Sequence, residues 1–343
     1  MSESRGVRLK DVAQRCGINT ASVSMVLNGA RSNSGVSAQT RARILDAARE
    51  LGYRPNAAAK AVATGRFGAL GVLSPRSHAG APHGAIWWGL QHEAERSDLH
   101  LVVGSVPDEE LQSDAQLPRL LSQWMCDGLL INYIHHPPRA LADTIRRHAI
   151  PALWLNVRQE WDCVHPDDYA GAVEGTRSLL RLGHTRIAYA HAASSLHYSA
   201  NERLRGYNDA MRQAGLEPRI EAFFEAPPGA RLEQSRVLLL GSQRPTAIVS
   251  YGRGFSLPLL WAATSLGLRV PEQLSLLTFD ESPFAELGVT LSTLQIPFVE
   301  MARAAVRGVL DKIADPALLL PAQALPFPSP TGDTCAPPIP NSR

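Results

Sequence analysis

The chain has 343 residues, of which 45% are hydrophobic and 19% are charged, and its formal net charge is +2. This composition is typical of a globular protein and excludes a disordered one, and the length is enough for about two to three domains. No apolar run reaches the length of a membrane span, about 18 residues, and no apolar stretch follows the N-terminal charges, so we expect neither a membrane segment nor export.

The charges are distributed unevenly along the chain. Residues 1–66 carry 11 Lys and Arg against 4 Asp and Glu, a net charge of +7, whereas the rest of the chain has a net charge of −5. A basic segment on an acidic body is typical of a nucleic-acid-binding module joined to another domain. A solvated basic face is the other interpretation of the charge alone.

Three short helices are predicted at the N-terminus. The first has a single apolar face and ends at Gly17, and the second is capped by Asn19 or Thr20. The third begins after Ser37 and ends at Gly52. Three helices with a short turn between the first two follow the plan of a helix-turn-helix.

A linker is predicted at residues 54–66. Pro55 suits the first position of a helix, and the alanines that follow favour one. The segment is shorter than the ~12–15 residues that an isolated helix needs in water. We therefore expect a hinge that is helical only when it packs against another surface.

Beyond the linker, short apolar runs alternate with amphipathic stretches. The predicted strands are 69–74, 99–106, 128–132, 151–157, 186–192, 246–251 and 274–280. The predicted helices are 84–96, 113–124, 139–148, 169–182, 202–214, 231–241, 256–266 and 298–313. This alternation predicts parallel sheets covered on both faces, with ligands beyond the carboxyl ends of the strands.

The predicted fold class is an N-terminal all-α helix-turn-helix head joined to an α/β core of two doubly wound parallel-sheet subdomains. The head covers residues 1–53, the hinge 54–66, the core 67–335 and a flexible tail 336–343. Within the core, subdomain 1 is expected at about 67–164 and 294–322, and subdomain 2 at about 165–293 and 323–335. The Pro-rich C-terminal segment is expected to supply at most an edge strand.

The order of the motifs resembles the lactose-repressor (LacI/GalR) family of bacterial transcription regulators. The matching motifs are VRLKDVAQRCGINTASVSMVLNG (7–29), VSAQTRARILDAARELGYRPNAAAKAVATG (36–65), CDGLLIN (126–132), LLRLGHTRIAY (179–189), ERLRGYNDAM (202–211), LGLRVPEQLSLLTFDESP (266–283) and LSTLQIPFVEMARAAV (291–306). The resemblance implies a DNA-binding head, a hinge helix, a periplasmic-binding-protein-like effector core and a homodimer. It implies a cytoplasmic repressor that binds a pseudo-palindromic double-stranded DNA operator under the control of a small effector, a sugar or sugar-derived anion.

The DNA-contacting residues are expected on and around the second helix, whose N-terminal residues enter the major groove in a helix-turn-helix. The candidates are Lys10, Thr20, Ala21, Ser22, Ser24, Met25, Asn28, Arg31 and Val62. Met25 stands where the family usually has an Arg, and Val62 where it has a Leu that wedges into the minor groove. We expect the fold to be retained, with a different operator sequence and a shallower wedge. Ordinary helix solvation and packing are the alternatives for these side chains.

The effector is expected in the cleft between the subdomains. The candidate residues are Arg76, Asn132, Asp167, Arg203, Arg253 and Asp280. Asn132, Asp167, Arg203 and Asp280 match family pocket positions, whereas Arg76 and Arg253 replace an acid and an amide. Two additional arginines favour an anionic ligand over a neutral sugar or nucleoside. The alternatives are that Asp280 caps a turn, that Arg203 pairs with a carboxylate, and that the additional arginines pair with acids or face solvent.

Two other classes of protein remain as alternatives. A solute-binding protein shares the core fold but needs an export signal and has no basic head, and a helix-turn-helix fused to a sugar-metabolising enzyme needs a catalytic motif. Neither a P-loop, an HExxH nor a GxSxG string occurs, so we expect no enzyme and no cofactor. The four cysteines are far apart, which favours reduced thiols, and His135, His136 and His165 lack further ligands at zinc spacing. The absence of a C-terminal leucine heptad favours a dimer over a tetramer.

Overall fold

The computed structural model describes most of the chain. The described residues are 6–27, 35–54, 61, 65–75, 84–106, 126–132, 139–192, 197–223, 229–285 and 288–339. The chain divides into two compact units, Met1–Gly68 with Met125–Asp127 and Ala69–Trp124 with Gly128–Arg343. The predicted helix at 113–124 and most of the predicted hinge helix lie outside the described residues.

The first unit contains three helices, α1 (Leu9–Cys16), α2 (Thr20–Leu27) and α3 (Ala38–Leu51). Gly17 ends α1 in the left-handed conformation, with φ of 64°. The Asn19 side chain accepts from the Ser22 N–H at 2.7 Å and the Ser37 hydroxyl from the Thr40 N–H at 3.2 Å, so α2 and α3 have the caps that their sequences predict.

The three helices enclose one small apolar core. Val12 of α1, Val23 of α2 and Ile44 of α3 are fully buried in it. The Arg43 guanidinium donates to the Cys16 carbonyl at 2.7 Å and satisfies the end of α1 from α3. The predicted helix-turn-helix is confirmed. Gly17, Ile18 and Asn19 connect α1 to α2, and both helices contribute residues to this core.

The first sheet of the second unit has six parallel strands. They are β1 (Ala69–Pro75), β2 (His100–Val106), β3 (Gly128–Ile131), β4 (Ala152–Leu155), β5 (Cys163–Pro166) and β11 (Gln323–Leu325), in the order β11–β5–β4–β3–β1–β2. Its helices are α4 (Gly84–Arg96), α5 (Arg139–Arg147) and α10 (Phe298–Ala314). A bare Cα at Gly89 lets α4 approach α10, because a Cβ there would lie 2.7 Å from that of Ala302. We call this half the N-subdomain.

The second sheet has five parallel strands. They are β6 (Ile187–Ala192), β7 (Arg219–Phe223), β8 (Ala247–Ser250), β9 (Ser275–Asp280) and β10 (Ser292–Gln295), in the order β10–β9–β8–β6–β7. Its helices are α6 (Asp168–Arg181), α7 (Tyr198–Gln213), α8 (Ala230–Leu240) and α9 (Arg253–Ser265). Ile248 and Val249 of β8 are both fully buried and belong to core clusters on opposite faces. This half, the C-subdomain, is therefore covered on both sides, as predicted.

Three details differ from the sequence predictions. The strand Ser292–Gln295 pairs in the second sheet and Gln323–Leu325 in the first, so the two boundaries predicted after 293 and after 322 lie at least two and three residues later. The short strands β5, β7 and β10 were not predicted, because none of them is a continuous apolar run. The predicted flexible tail is wrong at its start, since the Ala336 N–H donates to the Ser275 hydroxyl at 3.1 Å.

Among the described residues, no helix is both long and apolar enough to cross a bilayer. Over the same part of the chain, no group of three or more His, Cys, Asp or Glu side chains is arranged to hold a metal ion.

Candidate DNA-binding surface and effector cleft

The outer face of α2 carries the side chains that the sequence predicts for DNA contact. Thr20, Ala21 and Met25 are exposed, Met25 by 40%. Ala21 and Met25 lie on the face opposite the buried Val23, and Thr20 is the first residue of the helix. Ser22 and Ser24 are half-buried, and Lys10 is exposed on α1. The candidates Asn28, Arg31 and Val62 lie outside the described residues.

The charges of the head are partly compensated at its surface. Arg15 pairs with Glu50 at 3.0 Å and Arg49 with Asp46 at 3.1 Å, all with exposed side chains. Exposed pairs of this kind contribute little to stability, typically about 0–1 kcal/mol, and they open readily to other partners. The basic side chains therefore stay available to a polyanion.

In the core, Asn132 and Asp280 lie at the carboxyl ends of strands, where parallel sheets bind ligands. Asn132 directly follows β3 and is only 4% exposed, and its N–H donates to the Leu73 carbonyl at 2.8 Å. Asp280 ends β9, and its Oδ1 accepts from the Glu281 N–H at 2.8 Å. This contact is with the next residue in the chain, so the alternative that Asp280 caps a turn stays a prediction. The second carboxylate oxygen of Asp280 lies 3.3 Å from Arg253 Nε.

Arg203 on α7 lies at the centre of a buried cluster. Its Nε donates to Asp168 Oδ1 at 2.7 Å and its Nη1 to the Tyr251 carbonyl at 2.8 Å. The guanidinium carbon lies 4.2 Å from the centre of the Phe279 ring and 4.8 Å from that of Tyr251. The guanidinium therefore has two hydrogen bonds and contacts two aromatic rings, and the carboxylate alternative for Arg203 is observed.

Burial and charge set the protonation of this cluster. Burial is the largest single effect and lowers the pKa of the Arg203 guanidinium. The charge of Asp168, the nearby Tyr251 and Tyr189 and the hydrogen bond to Asp168 together outweigh burial, so the pKa is raised overall. Burial and the nearby Asp168 raise the pKa of Tyr198. Asp168 Oδ2 and the Tyr198 hydroxyl have no hydrogen-bond partner among the described residues. The cluster therefore keeps a neutral phenol and a paired carboxylate side by side.

A chain of hydrogen bonds links the C-subdomain to the N-subdomain. His197 Nε2 lies 2.9 Å from the Asn156 carbonyl and donates to it, which leaves Nδ1 to accept from the Ser199 hydroxyl at 2.6 Å. The Ser199 hydroxyl oxygen lies 2.8 Å from that of Tyr251. Asn156 follows β4 in the N-subdomain and has a positive φ of 55°. The bond from His197 therefore crosses between the subdomains.

Two further contacts cross between the subdomains. Arg158, after β4, pairs with Glu202 of α7 at 2.9 Å. On the other side, the Ala85 N–H at the start of α4 lies 3.3 Å from Glu281 Oε2. A carboxylate at the N-terminus of a helix is stabilised by the helix dipole. The two subdomains are thus held together by contacts that do not involve a ligand.

Arg253 has an acidic partner, which is one of the alternatives that the sequence left open, and its role as an effector ligand stays a prediction. Its Nε lies 3.3 Å from Asp280 Oδ2, and its guanidinium carbon 5.4 Å from the Phe284 ring centre. The pair is neutral overall, so Arg253 gives no physical reason for an anionic ligand. Arg76 lies outside the described residues.

Asp167 has a structural task in addition to its predicted one. Its Oδ1 accepts from the Ala170 N–H at 3.0 Å and caps α6. The neighbouring Asp168 is the carboxylate that meets Arg203. Sequence reasoning missed Asp168, His197, Ser199 and Tyr251, although the strand-end rule applied to Tyr251, which directly follows β8.

Comparison with known proteins agrees with this division of the chain. Residues 8–56 match the family model described as bacterial regulatory proteins, lacI family, and residues 176–328 match that of a periplasmic binding protein-like domain. The regulator GalR of Salmonella typhimurium (strain SL1344) is 31% identical over 303 residues, which cover 86% of each chain. The chain belongs to the lacI family. It is a transcriptional regulator with a helix-turn-helix DNA-binding domain.

Other relatives and solved structures of the lacI family extend the comparison. The regulator AglR of Rhizobium meliloti (strain 1021) is 29% identical over 334 residues, 89% of each chain. The lac repressor dimer, solved bound to operator and the anti-inducer ONPF, has a TM-score of 0.79 at 26% identity and covers 97% of this chain and 100% of its own. This lacI-family chain is therefore similar to solved and curated members of the family over most of its length.

Proposed function

We propose that this chain is a repressor that binds a pseudo-palindromic operator as a homodimer and changes its affinity when a small effector binds in the core cleft. The observation that carries the proposal is the exposed face of α2, Thr20, Ala21 and Met25, on a capped three-helix head with a net positive charge. A similar protein, the lac repressor, was solved as a dimer on its operator. The chain acts by binding in the cytoplasm and catalyses no reaction.

The homodimer is supported by two tryptophans with large exposed surfaces. Trp88 on α4 is 77% exposed and Trp261 on α9 is 60% exposed. Each belongs to a helix whose opposite side packs on its own subdomain. Large exposed aromatic side chains are typical anchors of protein interfaces. We therefore assign α4 and α9 to the contact between two copies of this chain.

We propose a neutral polyhydroxyl compound as the effector. Asn132 supplies an amide, the Arg203 cluster supplies N–H donors, and Ser199 and Tyr251 supply hydroxyls, all suited to sugar hydroxyl groups. The Arg253–Asp280 pair removes the surplus positive charge on which an anionic preference depends. The lac repressor, a similar protein, was solved with the anti-inducer ONPF bound.

The proposal is tested by selection from random-sequence duplex DNA with the full-length chain. We expect a pseudo-palindrome with one half-site per head. A single asymmetric site bound by one chain would contradict the proposal. The genes that lie beside matching sites in the source organism then show which genes the chain regulates.

The effector class is tested by thermal unfolding of the full chain with matched neutral sugars, sugar acids and sugar phosphates. A ligand that binds only the folded state raises the unfolding temperature by mass action. We expect stabilisation by a neutral sugar and an unchanged response in Arg253→Gln. Stabilisation by the acids or phosphates alone would support the anionic alternative instead.

A further inference from the structure

The carboxylate of Asp127 holds the end of the linker. Its Oδ1 accepts from the Phe67 N–H at 2.7 Å and its Oδ2 from the Gly68 N–H at 2.8 Å. Both oxygens are thus used by consecutive backbone groups about 60 positions away in sequence. Hydrogen bonds to an ionised carboxylate are roughly twice as strong as those between neutral groups. Two bonds to one side chain also fix the orientation of the backbone.

The backbone turns sharply on either side of this contact. Gly65 and Gly68 have φ of 68° and 71°, a conformation that favours glycine. The Gly65 N–H donates to the Ala61 carbonyl at 2.7 Å. Between Gly65 and β1 the chain has only three residues, and the Asp127 carboxylate holds the backbone N–H groups of two of them, Phe67 and Gly68.

The contacting residues lead directly into two paired strands of the core. Gly68 precedes β1 and Asp127 precedes β3 in the chain, and β1 and β3 pair in parallel from Leu70 with Gly128 to Leu73 with Ile131. Asn132, the candidate effector residue, follows β3. The same two strands thus begin at the linker and end at the cleft.

We infer that Asp127 is a positioning residue for operator binding: its carboxylate fixes the backbone of Phe67 and Gly68, so that operator binding by the two heads of a dimer does not have to order these two residues. The inference rests on the proposed DNA-binding function. Without the clamp, the linker gains conformational freedom that DNA binding must remove, and affinity falls.

The first experiment needs no DNA. In Asp127→Ala, which removes both acceptors, we expect the Phe67 and Gly68 amides to exchange hydrogen roughly tenfold or more faster. Trypsin should also cleave the Arg66–Phe67 bond faster. Asp127→Asn keeps one oxygen and should give an intermediate effect. Exchange at Val72 in β1 and the unfolding temperature should stay unchanged, as should every readout in the matched exposed variant Asp143→Ala.

The second experiment measures affinity for the DNA that the wild-type chain selects. We expect Asp127→Ala to bind it roughly tenfold more weakly, Asp127→Asn to be intermediate, and Asp143→Ala to equal wild type. Unchanged exchange and cleavage at Phe67 and Gly68 would show that the carboxylate does not hold the linker. Faster exchange with unchanged affinity would show that the clamp has no part in positioning. If the wild type selects no DNA, the proposed function fails and the role of Asp127 in DNA binding fails with it.

Discussion

Arg203 and Asp168 form an ion pair whose side chains are only 6% and 0% exposed, with 2.7 Å between Nε and Oδ1. The pair joins α7 to the first residue of α6, and its guanidinium contacts the rings of Phe279 and Tyr251. A buried pair of this kind is weak evidence for net stability, but breaking it leaves a charge without compensation. The pair therefore fixes α7 against the start of α6.

Arg203→Met should lower the free energy of unfolding by about 3–5 kcal/mol, because Asp168 then remains charged and buried. Adding Asp168→Asn should recover a large part of that loss, since the double variant buries no unpaired charge. Urea unfolding of the full chain measures both. The control is Arg146→Met, which breaks an exposed pair with Asp143 and should change stability by about 0–1 kcal/mol. Equal losses of stability in Arg203→Met and Arg146→Met would contradict a structural role for the buried pair.

Met25→Arg should change the preferred base at one position of each half-site. Met offers only apolar contact, whereas Arg can donate twice to a guanine edge, which is worth about 1–3 kcal/mol of discrimination. DNA selection with both variants reads this out. Gln14→Arg, an exposed change of the same charge on α1, should strengthen binding to all sequences alike. An unchanged motif in Met25→Arg would place that side chain away from the bases.

Trp88→Glu should convert the dimer into a monomer at micromolar concentration. Truncating an aromatic anchor at an interface weakens association by about 2 kcal/mol or more, and a buried charge adds to the loss. Light scattering behind size-exclusion chromatography measures the mass. Trp161→Glu, also at an exposed tryptophan, is the matched control and should leave the mass unchanged. A dimeric Trp88→Glu would remove α4 from the interface.

The C-subdomain should lose stability as the pH falls below the ordinary pKa of a histidine side chain. His184 is buried, its Nε2 lies 2.9 Å from the Ala336 carbonyl and its Nδ1 2.9 Å from the Thr246 hydroxyl. Burial lowers the pKa of His184 from its ordinary value of 6.5. The unfolded chain therefore binds the proton more tightly than the folded one, so the contribution is complete above about pH 6.5 and is lost as the pH falls further towards the lowered pKa.

The His184 effect is measured as the change in unfolding temperature between about pH 7.5 and about pH 5.5. The free energy of unfolding of His184→Gln should change less with pH than that of the wild type. The difference should be at most about 1.4 kcal/mol per pH unit. The exposed His92→Gln should keep the wild-type dependence. Identical dependence in all three chains would contradict a neutral His184.

The periodicity of the sequence is sufficient for the long elements. The predicted helix 84–96 coincides with α4, and the capping residues Asn19 and Ser37 have the predicted contacts. By contrast, β5 (CVHP) and β10 (STLQ) consist of four residues with little apolar character, and they are strands only because neighbouring strands offer hydrogen bonds. The local sequence pattern carries no information about which neighbouring strands will pair with these segments.

The candidate site shows the same limit. Strand ends correctly placed Asn132 and Asp280 at the edge of the sheets. The partners could not be predicted, because Asp168 and Arg203 are 35 positions apart and Asn156 and His197 are 41 apart. The pairing of Arg253 with Asp280 could not be predicted for the same reason, since the fold brings the two residues together.

The proposed function depends above all on sequence-specific recognition of DNA. This recognition is measured by comparing the affinity of the full-length chain for its selected duplex and for a duplex of the same composition in scrambled order, at physiological salt. We expect a preference of at least roughly 10³-fold for the selected duplex, with two chains bound to it. Equal affinity for both duplexes, lost in parallel as salt rises, would show only non-specific attraction of a basic head to DNA and would contradict sequence-specific binding.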